Sequence, residues 1–208
     1  MEYQIPIMKK IILIFSLFVF SAARAGDSLY TIKINFLYGS RPAKGYKDSE
    51  SRLFGGIKGG HVNIEAGGRI LDFVPGNNPL FPNNKNPTGG FKLRQSIYWD
   101  IERDKWASVT VPVSEDQYTA LQFLFDEVSK ETPYDYAILG MRCAAASYDI
   151  LCKIGLFKEY SNKKDIAKFF YPKLLRRKIF QWAEENNYKI KRYDGRSSRK
   201  WESDKGLF

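Results

Sequence analysis

Residues 61–74 read HVNIEAGGRILDFV, and this stretch decides the fold. Two runs of alternating apolar and polar residues flank Gly67-Gly68, a pair favoured in the two-residue turn of a β-hairpin. Because residues that oppose one another across a hairpin share a face, the pattern predicts one polar face and one packed face. The polar face carries four side chains: His61, Asn63, Glu65 and Asp72.

Other segments add strands to this hairpin. Residues 29–38 and 105–113 alternate in the same way, and residues 188–193 form a shorter strand pattern. Residues 75–95 are rich in Asn and Pro, so we expect them to form an irregular surface loop. The strands near the hairpin are therefore expected to build an antiparallel sheet.

Helical patterns follow the last long strand. Ser114 and Gln117 form a capping box, which predicts a helix that runs to about Lys130. Further helices are expected over residues 140–154 and from Pro172 onward. The sequence thus predicts an α+β fold, with an antiparallel β-sheet packed against helices.

The first residues have the composition of a secretory signal. A lysine pair precedes the apolar run Ile11–Phe20, and Ala23-Arg24-Ala25 supplies the small-x-small pattern at which such signals are cut. The apolar run spans about ten residues, whereas a membrane-crossing helix needs about 20. We therefore expect residues 1–25 to be a signal peptide, residues 26–208 to be a single domain, and the protein to reach the periplasm or the extracellular space.

The chain is basic, with a formal net charge of +10. An exported basic protein is expected to meet anionic material, such as cell-wall peptide or another anionic envelope component, and peripheral contact with a membrane surface is a further option. The chain has no zinc-finger spacing, phosphate-binding loop or RNA-binding aromatic motif, so we expect no nucleic-acid partner. The cationic residues considered for surface binding, which could equally form a solvated face, are Arg176, Arg177, Lys178, Arg196, Arg199 and Lys200.

The cysteine and histidine counts limit the chemistry. His61 is the single histidine, which excludes zinc sites built on two or three histidines, and we expect no metal or cofactor. Cys143 and Cys152 lie nine residues apart in one predicted helix, which separates them by about 13 Å on opposite faces. A disulfide needs Cα atoms within about 7 Å, so we expect a free thiol at Cys143, with Cys152 in the core.

Cys143 and His61 are the residues most suited to catalysis. Cys143 is expected near a helix start and follows Arg142, and both features favour the thiolate form of a cysteine. His61 would then act as the general base, with a third polar group holding its imidazole in the useful tautomer. Three hairpin residues are candidates for that third role: Asp72 first, then Asn63 and Glu65.

Four short segments resemble the circularly permuted NlpC-type, papain-like cysteine hydrolases, and more distantly the lecithin retinol acyltransferase-like proteins. The resemblance covers about residues 55–156. It rests on Gly60-His61-Val62-Asn63-Ile64, Ile70-Leu71-Asp72-Phe73-Val74-Pro75, Tyr134-Asp135-Tyr136 and Arg142-Cys143-Ala144-Ala145.

The resemblance implies a permuted papain-like fold in which histidine, polar residue and cysteine occur in that chain order. It implies hydrolysis of an amide bond, with cell-wall peptide as the leading substrate class. Cys143 would be the nucleophile, His61 the base and Asp72 the orienting residue, while Tyr134, Arg142 and Asn63 are expected to bind substrate. The alternatives are lipid acyl transfer or ester hydrolysis by the same residues, and a non-catalytic exported binding protein on this fold. Relatives often carry Asn or a small polar residue beside the cysteine, where this chain has Arg142 and three alanines.

Overall fold

The computed structural model describes residues 30–38, 60–77 and 79–195. The predicted signal peptide and the basic residues after 195 lie outside the described residues. Within the described part of the chain, six antiparallel strands form one sheet that packs against four helices. The predicted α+β class, with an antiparallel sheet against helices, is therefore confirmed.

The six strands are ordered β4-β3-β2-β1-β5-β6 across the sheet. Every neighbouring pair is antiparallel. The strands are β1 (Tyr30–Leu37), β2 (His61–Ala66), β3 (Arg69–Val74), β4 (Gly90–Arg94), β5 (Trp106–Val113) and β6 (Lys189–Tyr193).

The β2–β3 hairpin has the predicted register. Asn63 opposes Asp72 and Ala66 opposes Arg69, with two residues in the turn. Gly67 and Gly68 have φ angles of 60° and 75°, the left-handed values that a type I′ turn requires at both central positions. The glycine pair therefore fixes which residues of β2 and β3 face one another.

Four helices lie on the apolar side of the sheet; three pack against its strands, and the short third helix packs mainly against the second. They are α1 (Glu115–Lys130), α2 (Cys143–Lys153), α3 (Asn162–Lys168) and α4 (Pro172–Glu185). The core joins strand residues such as Ile34 and Phe73 to helix residues such as Phe125, Leu151 and Ile179. None of the helices in the described residues is both long enough and apolar enough to cross a membrane.

The predicted capping box is present at the start of α1. The Ser114 side chain accepts a hydrogen bond from the backbone N–H of Gln117, and the Gln117 side chain accepts one from the backbone N–H of Ser114. The helix ends at Lys130, as the apolar periodicity predicted.

Three predictions about local structure were wrong. The expected irregular loop over 75–95 contains β4, because Phe91 and Leu93 pair with β3 and add an edge strand to the sheet. The helix expected from residue 140 begins instead at Cys143, and α3 falls in a segment for which no helix was expected.

Candidate active site

The first residue of α2 meets the beginning of β2. Arg142 is the N-cap of α2, with extended backbone angles (φ −132°, ψ 170°), so Cys143 lies at the positive end of the helix dipole. The backbone N–H of Val62 donates to the Cys143 sulfur. Because Val62 follows His61, this hydrogen bond joins the helix start to the strand that carries the histidine.

His61 is held between Cys143 and Asp72. Its Nε2 lies 2.9 Å from Oδ1 of Asp72, and its side chain also hydrogen-bonds with the Cys143 thiol. Since Nε2 faces the carboxylate, Nδ1 is the ring nitrogen left for the thiol. All three side chains are buried, so the contacts are little weakened by solvent.

The thiol and the imidazole favour each other's charged forms. Burial alone would raise the pKa of Cys143, but the charge of His61, its hydrogen bond, Arg142 and the Val62 amide together hold that pKa below its ordinary value. Burial would likewise lower the pKa of His61, but Cys143 and Asp72 outweigh it and raise that pKa to about 9. The arrangement therefore favours a thiolate–imidazolium pair near neutral pH.

Asp72 has a second partner on the edge strand. Arg94 Nε lies 2.8 Å from Oδ2 of Asp72, in an ion pair whose N–H is not aligned for a hydrogen bond. Arg94 is two residues from the position directly opposite Asp72, and such diagonal neighbours are within reach of a long side chain. The fully buried carboxylate thus has a cationic group at each oxygen when His61 is protonated.

Two aromatic rings stand beside His61. The ring centroid of Tyr98 lies 5.2 Å and that of Trp99 6.2 Å from the imidazole centroid, both edge-on. The guanidinium carbon of Arg94 lies 5.3 Å from the Tyr98 ring centroid. Tyr98 is exposed, so it borders the solvent side of the site, whereas Trp99 is buried.

Tyr136 contacts the nucleophile from the chain that leads into α2. Its hydroxyl hydrogen-bonds with both Cys143 and Arg142. Burial and the charge of Cys143 raise the pKa of Tyr136, so the phenol stays protonated and can donate a hydrogen bond. A parallel β-bridge between Tyr136 and Met141 holds Tyr136 beside the residue two positions before Cys143.

The three expected substrate-binding residues lie in different environments. The Tyr134 hydroxyl donates to Asp149 Oδ2 at 3.0 Å, and the residue is buried. Asn63 is fully buried, and its Oδ1 accepts a hydrogen bond from Asn35. Arg142 is also buried, with its guanidinium carbon 4.7 Å from the Phe170 ring centroid.

Glu65, the other residue considered for orienting His61, has different partners. It makes an ion pair with Lys33 and accepts a hydrogen bond from Asn35. Among the three candidates on the hairpin face, Asp72 is therefore the one that contacts the imidazole in the described structure.

Asp135 supports the loop that precedes β4. Its carboxylate accepts hydrogen bonds from the backbone N–H groups of Asn83, Thr88 and Gly89. Burial would raise the pKa of this carboxyl, but the backbone hydrogen bonds outweigh burial and lower it. Asp135 adjoins Tyr136, so the same turn anchors this loop and brings a phenol to the thiol.

The two cysteines are free and lie in one helix, as predicted. The thiol of Cys152 donates to the backbone carbonyl of Lys158 at 3.4 Å. Burial raises the pKa of Cys152 to about 11, opposite in direction to Cys143. The helix therefore carries one thiol whose pKa is lowered and one whose pKa is raised.

Sequence reasoning did not assign Arg94, Tyr98 or Tyr136 to the site. Arg94 and Tyr98 fall in or beside a segment interpreted as irregular loop, so no strand register was available to set Arg94 near Asp72. Tyr136 belongs to a segment that carries the family resemblance, but only Tyr134 of that segment was expected to bind substrate. Tyr136 lies seven residues before Cys143. Its pairing with Met141 is a loop contact, which the periodicity of the sequence does not predict.

The described residues contain no group of three or more His, Cys, Asp or Glu side chains arranged to hold a metal ion. Comparisons of the chain with models of known protein families, with curated proteins and with solved structures gave no match. The functional argument therefore depends on the geometry of the site and on the sequence.

Proposed function

We propose that this protein is an exported thiol hydrolase that cleaves an amide bond, with cell-wall peptide as its substrate. The observation that carries the proposal is the buried contact between Cys143, His61 and Asp72, in which the thiol pKa is lowered and the imidazole pKa is raised. Such opposed shifts at a helix start are the arrangement that a cysteine nucleophile requires. Export is supported by the sequence of residues 1–25 and the substrate class by the family resemblance.

The reaction follows from the roles of these atoms. The Cys143 thiolate attacks the carbonyl carbon, forming a C–S bond and a tetrahedral oxyanion. His61 then donates its proton to the leaving amine as the C–N bond breaks, leaving a thioester. Water attacks the thioester while His61 accepts a proton from that water. The C–S bond breaks, and the acid product leaves with the thiolate–imidazolium pair restored.

Donors for the oxyanion are available at the same place. The first N–H groups of α2 have no partner within the helix, and Arg142 makes no side-chain capping bond to them. The protonated Tyr136 hydroxyl is a second donor, within hydrogen-bonding range of the sulfur. Loss of one such donor costs about 10²–10³ in kcat in enzymes of this type.

The fold that accommodates this chemistry is, in our proposal, the permuted papain-like arrangement. Its support is the chain order of His61, Asp72 and Cys143, with the histidine and its partner on adjacent strands and the cysteine at a helix start. This order is the one expected from the family resemblance.

The exposed apolar side chains favour a second candidate, hydrolysis or transfer of a lipid acyl group. Leu80, Phe81 and Leu139 are exposed, and the backbone N–H of Leu139 donates to the carbonyl of Leu80. Leu139 lies four residues before Cys143, and the exposed Tyr98 lies beside His61. Exposed apolar side chains of this kind would contact an acyl chain bound at Cys143.

Assay of the purified protein on muropeptides and on short-chain and long-chain carboxylic esters separates these candidates. Release of new amino groups from muropeptides, lost in Cys143→Ala and kept in the matched control Cys152→Ala, would support the amidase. Turnover confined to long-chain esters would favour the lipid reaction. Mass spectrometry should detect an acyl adduct on Cys143 with the substrate that is used. Failure to detect an adduct or turnover with any of them would contradict catalysis and leave a binding protein.

A further inference from the structure

The chain between β4 and β5 crosses the sheet on the face opposite the main core. β4 is one edge of the sheet, and β3, β2 and β1 lie between it and β5. Residues 95–105, which we call the strap, therefore cross four strand spacings, or about 19 Å at about 4.8 Å each. Trp99 of the strap packs with Leu37 and Trp106 in a small cluster separate from the main core.

The middle of the strap lies against the histidine. The rings of Tyr98 and Trp99 are both edge-on to the His61 imidazole, and they are also edge-on to each other, with centroids 5.5 Å apart. Burial raises the pKa of Tyr98, and negative charge at Cys143 and Asp72 raises it further. The phenol therefore stays neutral, and its hydroxyl lies within the electrostatic field of the reactive pair.

Neither reactive group is open to solvent in this arrangement. The exposed fraction is 3% for Cys143 and 6% for His61. Attack on an amide needs the carbonyl carbon within about 3–3.5 Å of the sulfur, so a neighbouring group must move before a substrate can bind productively. The question is which of the groups around the pair moves.

Tyr98 is held less firmly than the other groups around the pair. Tyr136 is buried and hydrogen-bonded, and Arg94 makes an ion pair with Asp72. By contrast, 49% of Tyr98 is exposed, and residues 97–99 make no hydrogen bond with the described part of the chain. Contacts between rings and with the Arg94 guanidinium hold Tyr98 in place, and such contacts are less directional than hydrogen bonds.

The second half of the strap is fixed by hydrogen bonds. The Trp106 indole N–H donates to the carbonyl of Ile101 at 3.1 Å. The Asp100 carboxylate accepts hydrogen bonds from the backbone N–H groups of Glu102 and Arg103. The segment that faces the histidine is thus the part of the strap that can move while the turn beyond it stays in place.

We propose that the Tyr98 ring covers the Cys143–His61 pair and that an incoming electrophile must displace the ring to reach the sulfur. Tyr98 is then a specificity-determining residue, because the space that its ring vacates limits the size of the group that reaches the thiolate. The cover over the thiol does not depend on hydrolysis. Only the selection of an acyl group by size rests on the proposed function.

The test is labelling of Cys143 in the purified protein with iodoacetamide and iodoacetanilide, two neutral reagents that share one reacting group and differ in size. Tyr98→Ala should speed labelling by iodoacetanilide about fivefold or more, the factor expected for loss of an edge-on ring contact, and labelling by iodoacetamide by less. A changed thiol pKa would alter both rates by the same factor, because the same thiolate attacks the same kind of carbon. A rise in the ratio of the two rates is therefore the signature of access.

Three controls accompany this variant. Tyr98→Phe keeps the ring and should leave both rates within about twofold of the unaltered protein. Phe123→Ala, which removes an exposed ring from α1, should change neither rate. Labelling of Cys152 in the same samples reports unfolding and should stay slow throughout. The proposal would be overturned by equal acceleration with both reagents, by equal acceleration of both cysteines, by no acceleration in Tyr98→Ala, or by the same acceleration in Tyr98→Phe.

Comparison with turnover separates this inference from the proposed function. If the unaltered protein hydrolyses no substrate but Tyr98→Ala raises the labelling ratio, the hydrolase is contradicted and the cover over the thiol stands. If hydrolysis depends on Cys143 but the labelling ratio is unchanged in Tyr98→Ala, the cover is overturned and the hydrolase stands.

Discussion

Replacement of His61 by glutamine tests whether the imidazole produces the reactive thiolate. Among the contributions that lower the pKa of Cys143, the charge of His61 is the largest, while burial is larger still and raises it. Without the imidazolium, burial prevails and the thiol pKa rises. Each unit of that rise above the assay pH lowers the thiolate fraction about tenfold, so alkylation near pH 7 should slow by at least about tenfold.

Cys152 provides an internal reference in the same helix. Its pKa of about 11 leaves about one molecule in 10⁴ as thiolate near pH 7. The two residues are similarly buried, with 3% and 8% exposure, so access does not favour Cys143. A thiolate of low pKa is intrinsically less nucleophilic, so the expected excess of Cys143 over Cys152 in labelling rate is smaller than their difference in thiolate fraction.

The assay is iodoacetamide labelling of the purified protein from about pH 6 to pH 10, with mass spectrometry of the two cysteine peptides. In His61→Gln the slow labelling of Cys143 should recover progressively as the pH rises toward 10, because the thiol then ionises without the imidazolium. That recovery separates a pKa effect from blocked access or unfolding. Equal and slow labelling of both cysteines in the unaltered protein, or an unchanged rate in His61→Gln, would refute the ion-pair reasoning.

Three further predictions concern the residues around this pair. Hydrolysis should decline above about pH 9 in a pH–rate profile, because the leaving amine needs the imidazolium proton and the pKa of His61 is about 9. Arg94→Gln should lower kcat/KM by about tenfold, with partial rescue by Arg94→Lys, because Asp72 loses a cation that holds its carboxylate in place. The same change should shift that limb to higher pH, because it removes a positive charge that disfavours the imidazolium. Asp135→Asn should lower the free energy of unfolding by about 1–2 kcal/mol near pH 7. That difference should shrink as the pH falls below about 3.8 in denaturant titrations, because a carboxyl with a lowered folded pKa stabilises the fold only while it is ionised.

The hairpin could be predicted because its signals are local. Gly67-Gly68 sets the turn and the alternation sets the faces, so the register follows from a stretch of 14 residues. The start of α2 was harder to predict from the sequence, because its N-cap is Arg142, which makes no side-chain capping bond. Since Ser, Thr, Asp and Asn are the usual signals, the chain before Cys143 offers no mark of where the helix begins.

The edge of the sheet could not be predicted for a different reason. β4 has five residues and follows a segment crowded with Asn, Pro and Gly, so its alternation is too short to stand out. The strand forms because β3 presents a free edge and Phe91 adds to the core. Because β4 was not predicted, Arg94 could not be assigned to the site. Its diagonal contact with Asp72 can be inferred only from the register of β3 with β4.

The choice among the three polar residues of the hairpin depends on the neighbouring strand. Register puts Asn63, Glu65 and Asp72 on one face and so does not distinguish them. Strand β1, which pairs with β2, holds Lys33 opposite Glu65 and Asn35 opposite Asn63, and these residues engage the two β2 side chains.

Asp72 lies on β3, out of contact with β1, so both of its oxygens are available to other groups. One faces His61 and the other faces Arg94. A neutral amide such as Asn63 could fix the orientation of the imidazole, but a carboxylate also stabilises its positive charge. Because β1 pairs with β2, it engages Asn63 and Glu65 and leaves Asp72 to orient His61. Asp72 is also the residue whose charge can stabilise an imidazolium beside a thiolate.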